Sequence, residues 1–173
     1  MKKLLLYSIV MCLIIAFQPS AEAQEDIDSV VVKTNTTLLE QMMKTQNFVL
    51  EADNLRQEAS RSYNVQPNLN FVKVNDDNAV IQMGSTTGVG FNGLGGITIE
   101  GDVTDYELDT SDGNYNVNFT VDSPSGFFDV FVDTSDPQIA EARVSSIRGN
   151  QITFSGKLVP PSSASVTTGT PTY

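Results

Sequence analysis

Carboxylates, hydroxyls and amides are the groups from which this chain must build any chemical site. Its 173 residues include no histidine and one cysteine, Cys12, which lies in an N-terminal apolar run. Imidazole is therefore excluded as a base, a metal ligand or a pH switch. A serine nucleophile without histidine needs a lysine base, and Lys33, Lys44, Lys73 and Lys157 fall in no Ser-x-x-Lys motif. Glu100, Asp102, Asp105, Glu107, Asp109 and Asp112 crowd into one short run. A pair of carboxylates does glycosidase-type work when the two groups sit in unlike environments across a cleft. Strand alternation instead sets Asp105, Glu107 and Asp109 on one polar face opposite Asn114, Asn116 and Asn118, which predicts a solvated surface. Calcium is the sharper use of such oxygens, but Asp112-Gly113-Asn114 does not follow the EF-hand spacing. No catalytic residue, metal or cofactor is assigned.

The second chemical candidate is a glycine run. Gly88-Val89-Gly90-Phe91-Asn92-Gly93 spells the dinucleotide fingerprint, which works only when its glycines open a helix in a βαβ unit. Leu94-Gly95-Gly96-Ile97-Thr98-Ile99 follows and reads as a strand, so nucleotide binding is set aside. Six of the 13 residues from Gly84 to Gly96 are glycine. Glycine costs about 0.5–1 kcal/mol in a regular element, so such density predicts unusual dihedrals or close backbone approach. Gly90, Phe91, Asn92 and Gly93 are the candidate recognition loop, with Phe91 expected either to face solvent as a contact or to pin the loop on the core.

Positioning these residues falls to elements of four kinds. Residues 1–23 have the form of a secretory signal peptide: Lys2 and Lys3, an apolar core from Leu4 to Phe17, a break at Gln18-Pro19-Ser20, and Ala21-Glu22-Ala23 before Gln24. Cleavage between Ala23 and Gln24 removes two positive charges and one negative, taking the net charge from −11 to −12. The processed chain has no second apolar stretch to anchor it in a membrane, and its charge repels nucleic acid. It is expected in the periplasm or outside the cell. Gln24–Asn35 is expected to be a spacer, and Thr37 with Glu40 forms a capping-box pattern for a helix over 36–46.

From there the pattern is β. A strand is predicted at 47–53, and from Asn68 short alternating runs are separated by turn residues such as Asn75-Asp76-Asp77-Asn78 and Ser123-Pro124-Ser125-Gly126. Around Thr110–Gly113 the alternation pairs Asp109 with Asn114 and Leu108 with Tyr115; around Gly149 it pairs Val144 with Phe154 and Glu141 with Lys157. Phe119, Phe128 and Phe154 fall on apolar faces and are assigned to the core. Pro160-Pro161 opens a Ser/Thr/Pro-rich tail, residues 159–173, expected to be extended or disordered. The fold class is mainly β: an antiparallel β-sandwich or partly open barrel with one N-terminal helix, forming a single domain over 36–158.

The chain resembles the bacterial domain-of-unknown-function family 4251, exported proteins of similar size. The residues that carry the likeness are Asn47–Asp53, Asn70-Phe71-Val72, Ala79-Val80-Ile81-Gln82, Gly90–Thr98 and Ile152–Gly156 with Leu158. The resemblance implies an extracytoplasmic, mainly β domain and transfers no functional residue. The expected function is a non-enzymatic interaction or binding domain for a protein partner or a small apolar ligand. The alternatives are a carboxylate-based hydrolase and a carrier holding a small apolar ligand inside the sheet. An apolar lumen favours the carrier, and a filled core with an exposed patch favours a protein partner. Intact-mass measurement of the exported protein is expected to give a chain that starts at Gln24; retention of residues 1–23, or a lipid on Cys12, contradicts the reading of the leader.

Overall fold

The computed structural model describes residues 21–57, 62–85, 92–147, 149 and 151–173, with side chains from residue 30. Contacts divide the chain between Thr34 and Asn35. Helix α1, Ala21–Lys44, runs through that division. Residues 1–20 of the expected leader lie outside the described residues, and Ala23 and Gln24 fall in the helix backbone. Two expectations change here. The stretch 24–35 is helix rather than spacer, and Thr37 lies inside the helix rather than at its cap. In the first unit Val30 and Val31 are exposed.

The second unit is built on nine strands among the described residues: β1 (Asn47–Gln57), β2 (Ser62–Asn64), β3 (Phe71–Asn75), β4 (Asn78–Met83), β5 (Ile97–Asp109), β6 (Tyr115–Ser123), β7 (Gly126–Asp136), β8 (Ile139–Ser146) and β9 (Gln151–Val159). From β3 to β9 each strand pairs antiparallel with the next in sequence. β1 pairs with β3 on one side and with β9 on the other, which closes eight strands into a barrel. β2 is the extra strand, laid against Asn54–Arg56 beyond the end of β3. The sandwich alternative gives way to the barrel, and the strand predicted at 47–53 is the first part of β1.

Closure requires β1 to coil sharply, and it does so at a bulge between Ala52 and Asn54. Gly156 on β9 faces that bulge. A Cβ there would stand 2.1 Å from the Glu51 carbonyl oxygen, so only glycine lets the two backbones approach. A second bulge lies in β5 between Thr104 and Glu107, where Asp105 adopts φ 53°.

Alternation decides what lies inside. Phe48, Leu50, Val72, Val74, Ile81, Val117, Phe119, Val132, Phe154 and Leu158 form the buried core. The C-terminal turns of α1 add Leu39, Met42 and Met43, each at most 3% exposed, to the same cluster. Burying one such side chain is worth about 1.5–3 kcal/mol. The helix thus plugs one end of the barrel. Tyr106 fixes it there: its hydroxyl donates to the Met43 carbonyl at 2.7 Å, one of the carbonyls without an intrahelical partner at a helix C-terminus, which the Gln46 amide also reaches at 3.4 Å. Its ring stacks on Phe119 at a centroid distance of 5.9 Å.

Both predicted hairpin registers are displaced by two residues. Asp109 lies opposite Asn116 rather than Asn114, and Leu108 opposite Val117 rather than Tyr115. Val144 lies opposite Ile152 rather than Phe154, and Glu141 opposite Ser155 rather than Lys157. A two-residue shift keeps every side chain on its face, so polarity alone does not separate the alternatives. In the first case side chains organise the longer loop: the Ser111 amide donates to Asp109 Oδ1 at 2.9 Å and the Asn114 amide to Asp112 Oδ1 at 2.9 Å. The Ser111 hydrogen bond also holds the Asp109 carboxyl below its ordinary range.

Tyr106→Phe should lower stability by about 1 kcal/mol, the usual net worth of a hydrogen bond, since the Met43 carbonyl keeps only a long contact from the Gln46 amide at 3.4 Å. Burial raises the Tyr106 phenol above its ordinary value of 10.0. The stability tied to the neutral phenol is therefore complete below that value and lost as pH climbs through the folded one. Denaturant melts between pH 9 and 11 should show the wild type losing more stability than the Phe variant. Equal losses contradict the plug contact.

Candidate functional site

The end of the barrel away from the helix is hollow. The C-terminal turns of α1 and the β3–β4, β5–β6 and β7–β8 turns occupy one end, so the opposite mouth is framed by the β4–β5, β6–β7 and β8–β9 connections. A cavity of about 570 Å³ opens there. Its floor is Ile81, Ile99, Val144 and Phe154, none more than 7% exposed. Higher up stand Met83, Ile97, Phe128 and Ile152, joined by Ser125, Ser146 and Thr172. No lining side chain carries a charge. An eight-stranded barrel is just wide enough to fill itself with side chains or to hold one small ligand. Here the helix supplies filling at one end only. Phe128, expected in the core, is half-buried and forms part of the mouth, whereas Phe119 and Phe154 are core.

The tail completes this end and is not a free segment. After a short 3-10 turn at Pro161–Ser163, Ala164 and Val166 cover Val49, Phe71 and Val80 on the outside of the barrel. The Ser165 amide donates to Glu51 Oε1 at 2.8 Å, and Lys157 Nζ approaches Glu51 Oε2 at 3.2 Å. The Thr167, Thr170 and Thr172 amides donate to the Asn68, Asn92 and Thr98 carbonyls. Thr172 reaches the mouth, where its carbonyl accepts from Ser125 Oγ at 2.5 Å. The tail is extended, as one of the two expectations has it, and it is tied down along its length.

Gln82 holds the strap from beneath. It faces outward from β4 yet is fully buried. Its amide nitrogen donates to the Leu69 carbonyl at 3.1 Å and the Thr167 carbonyl at 2.8 Å. Its carbonyl accepts from Thr98 Oγ1 at 2.9 Å and the Gly169 amide at 2.7 Å. All four hydrogen-bonding positions of the side chain are filled.

The candidate recognition loop joins this network. Gly90 and Phe91 lie outside the described residues. Asn92 is 1% exposed, donates to Thr98 Oγ1 at 3.1 Å and accepts from the Leu94 and Gly96 amides at 2.9 Å each. Its side chain organises the loop from within rather than offering a contact. Gly93 is exposed at φ 73°. Asn92 and Gly93 lie between β4 and β5, on the mouth side of the barrel. Sequence reasoning missed Ile81, Met83, Ile97 and Ile99 as site residues, although their alternation within 79–83 and 97–99 marked them as inward-facing.

The acidic run is arranged as a second, shallower hollow of about 410 Å³ on the outer sheet face. Asp105, Glu107 and Asp129 are exposed there. Arg143 stands 4.6 Å over the Phe131 ring, and Thr120 Oγ1 donates to Asp129 Oδ1 at 3.0 Å. All three carboxylates are exposed, so no two of them differ in burial across a cleft. Among the described residues, no three Asp, Glu, Cys or His side chains are grouped to hold a metal.

Gln82→Leu removes all four hydrogen bonds of that side chain at once and should cost about 3 kcal/mol through the buried groups it orphans. Limited proteolysis should then cut within residues 160–173 of the variant before the barrel unfolds. A variant as stable and as resistant as the wild type contradicts the role of Gln82 in fixing the strap.

Comparison with known proteins agrees with this architecture. A crystal structure of a DUF4251 family protein from Bacteroides eggerthii superposes with a TM-score of 0.60 at 28% identity, covering 78% of this chain and 91% of that one. No curated protein matches the chain at a significant level. The model of a family described as a domain of unknown function, DUF4251, matches residues 32–158. The chain belongs to that family.

Proposed function

We propose that this protein is a non-enzymatic, exported binding protein that holds a small apolar molecule in the mouth of its barrel. The observation that carries this reading is the hollow end itself. The same cylinder is packed to the wall beside the helix and left with about 570 Å³ at the other end. Ligand sites in proteins are concave, mostly apolar and typically about 300–1,000 Å³. The walls are Ile, Val, Met and Phe, with a few hydroxyls near the opening. Export fits the leader pattern at 1–23 and a processed chain without cysteine. The outer acidic hollow offers a solvated surface and less specific recognition.

Titration with the neutral fluorophore N-phenyl-1-naphthylamine should give saturable, one-to-one binding with a blue-shifted emission. Ile152→Trp fills the upper cavity, and Ile97→Glu places a carboxylate at its partly exposed rim. Each should weaken binding about tenfold or more, roughly 1.4 kcal/mol, with an unchanged far-ultraviolet circular dichroism spectrum. The Ile97 position is already 42% exposed, so that variant tests binding with little risk to the fold. Absence of saturable binding, or equal binding by both folded variants, contradicts the proposal.

A further inference from the structure

Resting on the reading of the mouth as a ligand site, we infer that its occupant is a single-chain amphiphile with an uncharged, hydrogen-bonding head. The cavity grades from apolar to polar along its depth. Ile81, Ile99, Val144 and Phe154 close the floor with no polar side-chain atom among them. The hydroxyls of Ser125, Ser146 and Thr172 lie toward the opening. Ser146 sits at the end of β8 opposite Phe128. Its hydroxyl makes no hydrogen bond among the described residues, whereas that of Ser125 is engaged by the Thr172 carbonyl. Ser146 is thus a hydroxyl within the barrel wall free to meet a polar head while the floor takes a hydrocarbon tail; the exposed Tyr173 also lines the cavity.

Charge decides the kind of head. No lining side chain is a lysine or arginine, and the chain carries a net charge of −11. A carboxylate or phosphate head would enter a low-dielectric mouth without a counter-charge, against the field of an acidic protein. A cationic head would find no Asp or Glu side chain in the lining. An alcohol, ester or amide avoids both penalties: an alcohol or an N–H amide can both donate to and accept from a hydroxyl, and an ester can accept from it. Size decides the tail. At about 30 Å³ for each non-hydrogen atom, the share of a liquid water, 570 Å³ holds on the order of twenty such atoms. One acyl or alkyl chain fits, and a two-chain phospholipid does not.

Displacement of N-phenyl-1-naphthylamine from the full exported chain tests this. Among straight-chain 1-alkanols, affinity should rise about fourfold per methylene and level off once the cavity is full. At equal length, 1-decanol should bind at least about tenfold more tightly than decanoate or decyltrimethylammonium. Ser146→Ala should weaken 1-decanol about fivefold while leaving the fluorophore's own affinity unchanged. Decanoate or the ammonium binding as tightly as the alcohol overturns the uncharged head but leaves the apolar site standing. Uptake of a two-chain phosphatidylcholine from vesicles in preference to soluble alkanol overturns the single chain. If the fluorophore binds and no alkyl compound displaces it, the amphiphile is overturned; if the fluorophore itself does not bind, the underlying reading falls with it.

Discussion

Everything in the barrel unit depends on the seam between β1 and β9. Among the described residues β1 is the one strand with three partners, and its two edges are used unequally along its length. An antiparallel sheet that ends in open edges must protect them, whereas a closed barrel has none. The seam achieves closure through the bulge after Ala52 and the glycine opposite it, where the backbones approach more closely than a side chain permits. The Glu51–Lys157 pair lies on the outside of the same seam. Its value is to keep a buried carboxylate paired rather than to add much attraction, since one partner remains half exposed.

Closure makes two ends, and they are treated differently. The helix brings methionine and leucine into one, and the Tyr106 hydroxyl settles a carbonyl the helix cannot satisfy itself. The other end receives the tail, but on the outside of the wall. Its contacts there are mostly backbone amides meeting loop carbonyls, with Gln82 as the buried point of attachment. The strap therefore covers the outer face of β4 and β5 and reaches the cavity lining with Thr172 and Tyr173.

Most of the strands were legible because alternation exposes a face, and the face is what the barrel needs. Val130 and Val132 or Ile81 and Met83 could be placed inward without knowing their neighbours. Register was not legible, because Leu108 opposite Tyr115 and Leu108 opposite Val117 satisfy the same polarity rule; the side chains of Asp109 and Asp112 decide between them by building a longer turn. The strap was hidden for another reason. Residues 160–173 bind chiefly through their main chain, which leaves no periodic signature in Ser, Thr and Pro. Gln82 and Thr98 pointed to it only indirectly, as polar residues on strands whose outer face turns out to be covered. Asn92 sat in the run chosen for its glycines, but its own role came from the amides it gathers.

The seam also orders events in time. Hairpins from β3 to β8 join residues near one another in the chain and can form as soon as both arms exist. β1 has no such freedom on its β9 side, since Val49 must meet Val159 and Gln57 must meet Ile152 across nearly the whole domain. Loop closure of that length is entropically costly and kinetically late. The strap is later still, because Gly169 docks on a glutamine that β4 must already have placed. Synthesis running from the N-terminus consequently produces an open, curling sheet first. The cylinder, and with it the hollow mouth, comes into being only once the last strand has left the ribosome.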